Sequence, residues 1–372
     1  MSRGAVTAAL ESDDRVVLTL DAGGTNLVFS AIRGAREVVP PLRLPSHAAD
    51  LDRCLATLVE GFDRVRGRAE APPAAISFAF PGPADYAAGI IGDCNNFPAF
   101  RGGVPLGPML EDRFSLPVFI NNDGDLFTFG EALAGFLPWV NGLLAEAGSP
   151  KRFRNLFGAT FGTGFGGGLV RDGRLYVGDN GAAGEVWALR NKLDRDHCAE
   201  DGISIRGVRL EYARRTGDPP ASSPEPLEIF EIAGGHRPGD AAAAREAFRR
   251  LGEIAGDALA SVETLLDGLV VIGGGLSGAA PIFLPALVAE MNSPLRCGSG
   301  SVARTSVRAF NLEEAEERER FLRSEVREIA VPGSSRRVLY DPVKRVGVGL
   351  SRLGASRAVA VGAYAFALDA LG

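Results

Sequence analysis

The chain is poor in the residues that build metal centres and redox frameworks. Of its 372 residues, four are cysteine (Cys54, Cys94, Cys198, Cys297) and three are histidine (His47, His197, His236). No two cysteines stand at C-x-x-C spacing, so neither a disulfide framework nor a zinc knuckle is supported. His197 and Cys198 are adjacent, which could be half of a metal site, but in a polar segment the pair reads as plain loop. So little histidine leaves general-base chemistry to a carboxylate. No apolar run approaches the roughly 20 residues that span a bilayer. There is no basic block, and the net charge is −6, so bulk electrostatics offer nucleic acid no attraction. The opening MSRGAVTAALESDDR has no apolar core and reads as a tail rather than a signal peptide, which predicts a cytoplasmic protein.

Glycine is abundant, with 48 residues, and 46% of the chain is hydrophobic, enough for two cores of ordinary domain size. The apolar runs alternate with helical stretches. RVVLTLD, NLVFSAI and EVVPPLRL read as strands, and DLDRCLATLVEGFDRVRG has apolar residues at helical spacing. AAISFAF reads as a buried strand. PVFINND is a short strand followed by a helical LFTFGEALAGF. This alternation predicts an α/β architecture. NLFGATFGTGFGGGLVRDGRLYVG then repeats the opening order of LTLDAGGTNLVFSAIRGAREVV: strand, Gly/Thr-rich turn, strand ending in Arg and Gly, third strand. The repeat predicts an internal duplication, with two domains that each open on a β-meander. EAFRRLGEIAGDALASVETLL is a long helix, DGLVVIGGGLSG a strand running into glycines, APIFLPALVAEMN a helix, and RAVAVGAYAFALDALG an apolar C-terminal helix.

Four turns follow buried strands: DAGGTN, NNDGD, GTGFGGG and GGGLSG. Ligands of open α/β sheets bind beyond the carboxyl ends of strands, so four such turns in order point to one shared site. Their order resembles that of the ROK family of sugar kinases, in the hexokinase, actin and heat-shock ATPase superfamily, from about Val16 to the C-terminus. The resemblance implies two RNase H-like, actin-type domains flanking a cleft. It divides the chain into a flexible tail (1–14), an N-terminal domain (15–132) onto which 356–372 packs back, and a C-terminal domain (133–355) with an irregular insertion at 292–343. DAGGTN resembles the first phosphate motif, GTGFGGG the second and GGGLSG the adenosine motif. NNDGDLFTFGE, CNNFPAF and GAAGEVW resemble the catalytic segment and two sugar-contacting segments.

The resemblance implies ATP with Mg²⁺ as donor and a hexose as acceptor. Asp21 before a glycine pair is then intelligible. A hard cation wants oxygen ligands, so the carboxylate faces Mg²⁺, directly or through water, while Gly23, Gly24, Thr25 and Asn26 contact phosphate. Thr163 and Gly164 fall to the γ-phosphate side, and Gly274 and Gly275 to adenosine. Asp123 is the implied general base. Asn122 beside it could hydrogen-bond sugar, and Asp125 suits the helix cap better than Asp123 does. Asn96 and Glu185 match sugar-binding positions, with Asn95 the competing choice. Phe97 and Phe100 read as core or wall, and Gly166 to Gly168 as a tight hairpin.

The pattern breaks at two places. Glu185-Val186-Trp187-Ala188 stands where the family reads Glu-Ile-Gly-His, and HCAEDGISIRG replaces its cysteine-rich zinc segment, so no structural zinc is predicted. Arg206 falls near the family's second sugar-binding glutamate. It is either a ligand for an anionic acceptor or a surface residue. The alternatives kept beside a glucokinase-like enzyme are a kinase for an amino or acidic sugar and a non-catalytic sugar-binding regulator or sensor. About fifteen residues precede the first strand, too few for a helix-turn-helix, and a sensor needs no general base. The family resemblance also implies a homodimer.

Overall fold

A computed structural model of the chain describes residues 10–372. The chain forms two compact units. The first takes in residues up to Gly135 together with Gly168–Gly184 and Arg352–Gly372; the second comprises Phe136–Gly167 and Glu185–Ser351. Part of the predicted flexible tail, residues 1–9, lies outside the described residues. Residues 10–14 depart from that expectation. Leu10 is buried, Asp13 pairs with Arg15 at 2.7 Å, and the Tyr364 hydroxyl donates to the Asp13 carbonyl. Residues 168–184, given by sequence to the C-terminal domain, group with the first unit instead.

The first unit is built on strands β1 (Val16–Ala22), β2 (Asn26–Arg33), β3 (Arg36–Pro45) and β4 (Pro73–Ala79), a two-residue hairpin β5 (Ala84–Asp85) and β6 (Ile90–Ile91), and β7 (Val118–Asn121). The sheet order is β3-β2-β1-β4-β7. β2 runs antiparallel to both β1 and β3, while β1, β4 and β7 are parallel. One face carries Leu18, Leu20, Leu27, Phe29 and Phe78. It is closed by helices α1 (Leu51–Arg66) and α2 (Leu106–Phe114) through Phe62 and Phe114. Asp50 caps α1, accepting from the Arg53 amide at 3.1 Å. Cys54, Leu58, Phe62 and Val65 form its buried stripe at i, i+4, i+8 and i+11. Each large side chain so buried contributes about 1.5–3 kcal/mol.

The other face receives α3 (Asp123–Leu133) and the C-terminal helix (Ala355–Leu371). These two helices cross through glycine. A β-carbon on Gly130 would collide with the Ala358 carbonyl, and one on Gly362 with the Leu126 carbonyl. Only glycine allows so close a crossing, and α3 begins at Asp123.

The second unit repeats the plan. Its sheet is made of β8 (Leu156–Phe161), β9 (Phe165–Arg171), β10 (Arg174–Leu175), β11 (Leu269–Gly273), β14 (Arg308–Asn311) and β17 (Arg345–Leu350), although β10 and residues 168–171 of β9 group with the first unit. The order β10-β9-β8-β11-β17-β14 is that of the first sheet with one strand added at the edge. β8, β11 and β17 are parallel, as β1, β4 and β7 are. Its helices are α4 (Phe136–Glu146), α5 (Ile205–Thr216), α6 (Pro226–Ala233), α7 (Ala241–Leu266), α8 (Ala280–Met291) and α9 (Ala315–Leu322).

The segment 292–343 is more ordered than the sequence predicts. It holds hairpins β12 (Pro294–Cys297)/β13 (Gly300–Ala303) and β15 (Arg327–Ala330)/β16 (Arg337–Tyr340), the edge strand β14, and α9. β14 escapes notice because only Arg-Ala-Phe-Asn forms it; pairing with β17 buries Ala309 and Phe310.

Candidate active site

β1 ends at Asp21 and Ala22, and the chain turns back into β2 through Gly23, Gly24 and Thr25. The turn is held from inside: the Gly23 amide donates to the Asn26 carbonyl at 3.0 Å. It is also held from the residue after β3, where the Ser46 hydroxyl donates to the Gly24 carbonyl at 2.5 Å and the Ser46 amide to the Thr25 carbonyl at 3.0 Å. With those carbonyls engaged, the amides of Gly24 and Thr25 donate to nothing among the described residues. Two free amides on a pinned turn form an anion nest. The Asp21 carboxylate beside them is exposed and accepts no hydrogen bond among the described residues. A fixed carboxylate with open lone pairs beside an anion nest fits a divalent cation that accompanies phosphate.

Asp21 and Asp123 line one pocket of about 200 Å³ in the first unit, with Ala22, Ala79, Phe80 and Pro81 as its walls. Asp123 is the first residue of α3. Its Oδ1 accepts from the Gly124 amide at 3.0 Å. The side chain is exposed, yet the protein around it takes away part of its hydration. That desolvation pushes its pKa up, the nearby amides pull it down, and the charge on Asp21 pushes it up further. Access asks whether one water reaches the group; desolvation asks how much of its surroundings is protein. At the foot of a pocket both hold, and the second sets the direction.

Asn122, not Asp125, caps α3. Its backbone is extended (φ −70°, ψ 148°), and its Oδ1 accepts from the Gly124 amide at 2.7 Å. Asp125 lies inside the first turn and is buried, which removes it from the cap position. Asn122 Oδ1 is therefore engaged once, and its amide nitrogen has no hydrogen-bond partner among the described residues.

The loop CNNFPAF is anchored by its aromatics. Phe97 and Phe100 are fully buried and pack on Phe80 with ring centroids 4.7 and 5.3 Å away. They are core. Asn95 and Asn96 stay exposed. The Asn96 carbonyl lies 3.0 Å from where a Gly24 β-carbon would stand, so the loop lies directly against the first glycine turn.

In the second unit two further turns come together. The Gly162 amide donates to the Gly164 carbonyl at 3.0 Å, and the amides of Thr163 and Gly164 donate to nothing among the described residues. This is a second nest. Gly274 has φ +90°, and a β-carbon there would collide with the Phe161 backbone; glycine is obligatory on both counts. The Leu276 amide donates to the Phe161 carbonyl at 3.0 Å. The glycine turn after β11 is thereby locked beside the end of β8, from which the Thr163 turn departs.

Glu200 completes this arrangement without having been singled out in the sequence. Its Oε2 accepts from the Phe165 amide at 2.9 Å, and the Ile205 amide donates to the Gly162 carbonyl at 2.8 Å. The segment 200–205 thus braces the Thr163–Gly164 turn; the only sequence signal is a lone glutamate in HCAEDG. Glu131 is likewise a structural discovery. Fully buried, its carboxylate accepts from the backbone amides of Arg352 and Leu353 at 3.1 and 2.9 Å, tying α3 to the start of the C-terminal helix. Gly168 is not there for a hairpin alone: within the first unit its β-carbon would stand 2.5 Å from the Gly124 carbonyl.

Glu185 is exposed and accepts from the Trp187 indole. Arg206 is exposed and paired with Asp201, which also engages His197 Nδ1 at 3.0 Å and Cys198 Sγ at 3.6 Å. That pairing favours the surface reading of Arg206. Among the described residues no three His, Cys, Asp or Glu side chains cluster to hold a metal, and no helix is long and apolar enough to cross a membrane.

The sequence profile of the ROK family matches residues 17–311. An N-acetyl-D-glucosamine kinase of Photobacterium profundum is 30% identical over 290 residues, spanning 73% of this chain and 88% of its own. A glucokinase of Parabacteroides distasonis, known from a crystal structure, is 56% identical with a TM-score of 0.89, covering 97% of this chain and 99% of its own. A ROK glucokinase of Streptomyces griseus, crystallised with glucose and AMPPNP, is 19% identical, with a TM-score of 0.60 over 95% of this chain and 99% of its own. The last likeness is one of fold, the two-domain actin-like ATPase architecture.

Proposed function

The chain belongs to the ROK family, and from that premise we propose that it transfers the γ-phosphate of magnesium-bound ATP to a primary hydroxyl of a hexose, with glucose first among the candidates. It is a sugar kinase; the acceptor and the residue roles are the new content. The observation that carries them is the meeting of Asp21, Asp123 and the Gly24–Thr25 nest in the first unit. Phosphoryl transfer asks the protein for little covalent chemistry. It asks for donors fixed on phosphate oxygens, a cation held in place, and one base for the incoming hydroxyl.

Asp123 is that base. Its raised pKa makes the ionised form a stronger proton acceptor than a solvated aspartate. Asp21 holds the nucleotide's magnesium, and Gly23 to Asn26 and Thr163–Gly164 take the phosphates. Gly275, with open space where a β-carbon would stand, leaves room for adenosine, and Gly274 lets the turn lie flat against Phe161. Asn96, Glu185 and the amide of Asn122 supply the donors and acceptors that vicinal hydroxyls need. Arg206, committed to Asp201, is left out of this set. The 56% identity with a glucokinase favours glucose, and the N-acetylglucosamine kinases keep an amino sugar as the second reading. A supply of ATP suits the cytoplasm, which is the location this reading proposes.

The test is ADP release with magnesium–ATP across hexoses, amino sugars and sugar acids, for the wild type and Asp123→Asn. Turnover with one neutral hexose, lost by about 10²–10⁴-fold in the variant, is the expected result. Turnover confined to sugar acids would return Arg206 to the site. A sugar that binds without turnover would overturn the assignment of Asp123.

A further inference from the structure

The face of the first sheet that receives the C-terminal helix is covered only in part. Beside the helix a groove of about 630 Å³ runs along β1, β2 and β3, the size of a metabolite site. Its floor is polar where a helix-covered sheet would be aliphatic: Thr19 Oγ1 and Ser30 Oγ lie 2.8 Å apart, both buried. Three arginines line it: Arg36 and Arg43 on β3, and Arg357 on the helix. All three are exposed, and none has a carboxylate partner among the described residues. Neighbouring Arg33, outside the groove, does have one in Glu70. Two carboxylates also line the groove, Glu37 and Asp21, one at each end.

Register fixes the layout. Asp21 pairs with Val28 and Val28 with Arg43, so Arg43 stands two strands, about 10 Å, from Asp21 on the same face. Arg36 pairs with Arg33, five residues along β2 from Val28, or about 16 Å. Asp21, Ser356 and Val359 line both this groove and the Asp123 pocket, so the two are neighbours. Cations spread along a groove match a ligand whose negative charge is likewise spread. Guanidinium forks grip phosphoryl oxygens in pairs.

We propose that this groove is a second anion site, taking a small molecule with at least two separated phosphoryl groups, held by Arg36, Arg43 and Arg357. A sugar bisphosphate and a linear inorganic oligophosphate share that chemistry, and binding separates them.

The experiment is calorimetric titration of the unliganded full chain, without magnesium, with fructose 1,6-bisphosphate and with tripolyphosphate. It is repeated on the triple variant Arg36→Gln, Arg43→Gln, Arg357→Gln. The proposal expects one anion to bind the wild type and to weaken by about tenfold or more in the variant. The variant's melting temperature, and its kcat and KM for magnesium–ATP, should stay within about twofold of wild type. The tighter anion names the source. Equal binding to both proteins would place the anion in the glycine nests instead and overturn the site, as would the absence of binding by either anion at millimolar concentration. Because the titration needs no turnover, its failure is separate from failure of the kinase assignment.

Discussion

Asp123 links several observations at the scale of one residue. The PVFIN strand delivers it, the Asn122 cap fixes the turn that follows, and the surrounding protein raises its pKa. The sign of that shift has two consequences. A base must be unprotonated to act, so the acidic limb of the kcat/KM profile should lie above the range of a solvated aspartate. Stability moves the other way. A carboxyl with its folded-state pKa raised favours the folded state most below the unfolded pKa, and that contribution is lost as pH rises through the folded value. At neutral pH the raised pKa of Asp123 is therefore a cost to folding. Asp123→Asn should keep or raise the melting temperature at pH 7 while losing activity. A fall in both together would mean that the side chain is structural. The residue's position at the end of a strand was legible in NNDGD; the cap was not, because Asn122 and Asp125 both have side chains that can cap and only backbone angles decide between them.

At the scale of elements, the crossing of α3 with the C-terminal helix positions Asp123 from behind. The sequence shows two apolar helices, one ending in Gly-Glu. It does not show that Gly130 and Gly362 form the crossing, or that Glu131 captures the amides at 352–353, because the partners lie more than two hundred residues apart. Gly362→Ala would drive a methyl group into the Leu126 carbonyl and force the helices apart. The expected cost is about 1–3 kcal/mol, typical of overpacking, together with a lower kcat as the first turn of α3 shifts. Gly142→Ala is the control: it sits in a helix with nothing within 4 Å of its β-carbon, and should gain about 0.5–1 kcal/mol. Urea titrations of both variants check the pair. Equal effects would remove the crossing from the account. The edge strand β14 was missed for a related reason: four residues carry too little periodicity, and its pairing with β17 is decided by tertiary contact.

For the whole molecule, the duplication was the most legible feature, since two strand–glycine–strand repeats return as two sheets with the same strand order. The divergence within the repeat was not legible, and it carries the division of labour. One unit holds its nest beside a free carboxylate, Asp21. The other holds its nest against Glu200, whose Oε2 accepts from the Phe165 amide, next to a turn where Gly274 admits no side chain. The open carboxylate of Asp21 beside the first nest predicts how the chain should respond to ligands. A ligand that binds only the folded state stabilises it by about 2.7 kcal/mol at a hundred times its Kd. AMPPNP should therefore raise the melting temperature, and magnesium should add a further increment that depends on Asp21. In Asp21→Asn the magnesium increment should vanish while the metal-free shift survives, because the glycine turns remain. In Gly274→Ala the metal-free shift itself should shrink, because the turn after β11 can no longer lie against Phe161. Scanning calorimetry of the three proteins, each with and without AMPPNP and magnesium, separates the two effects. A magnesium increment that persists in Asp21→Asn would move the cation to another carboxylate and break the assignment of the first turn.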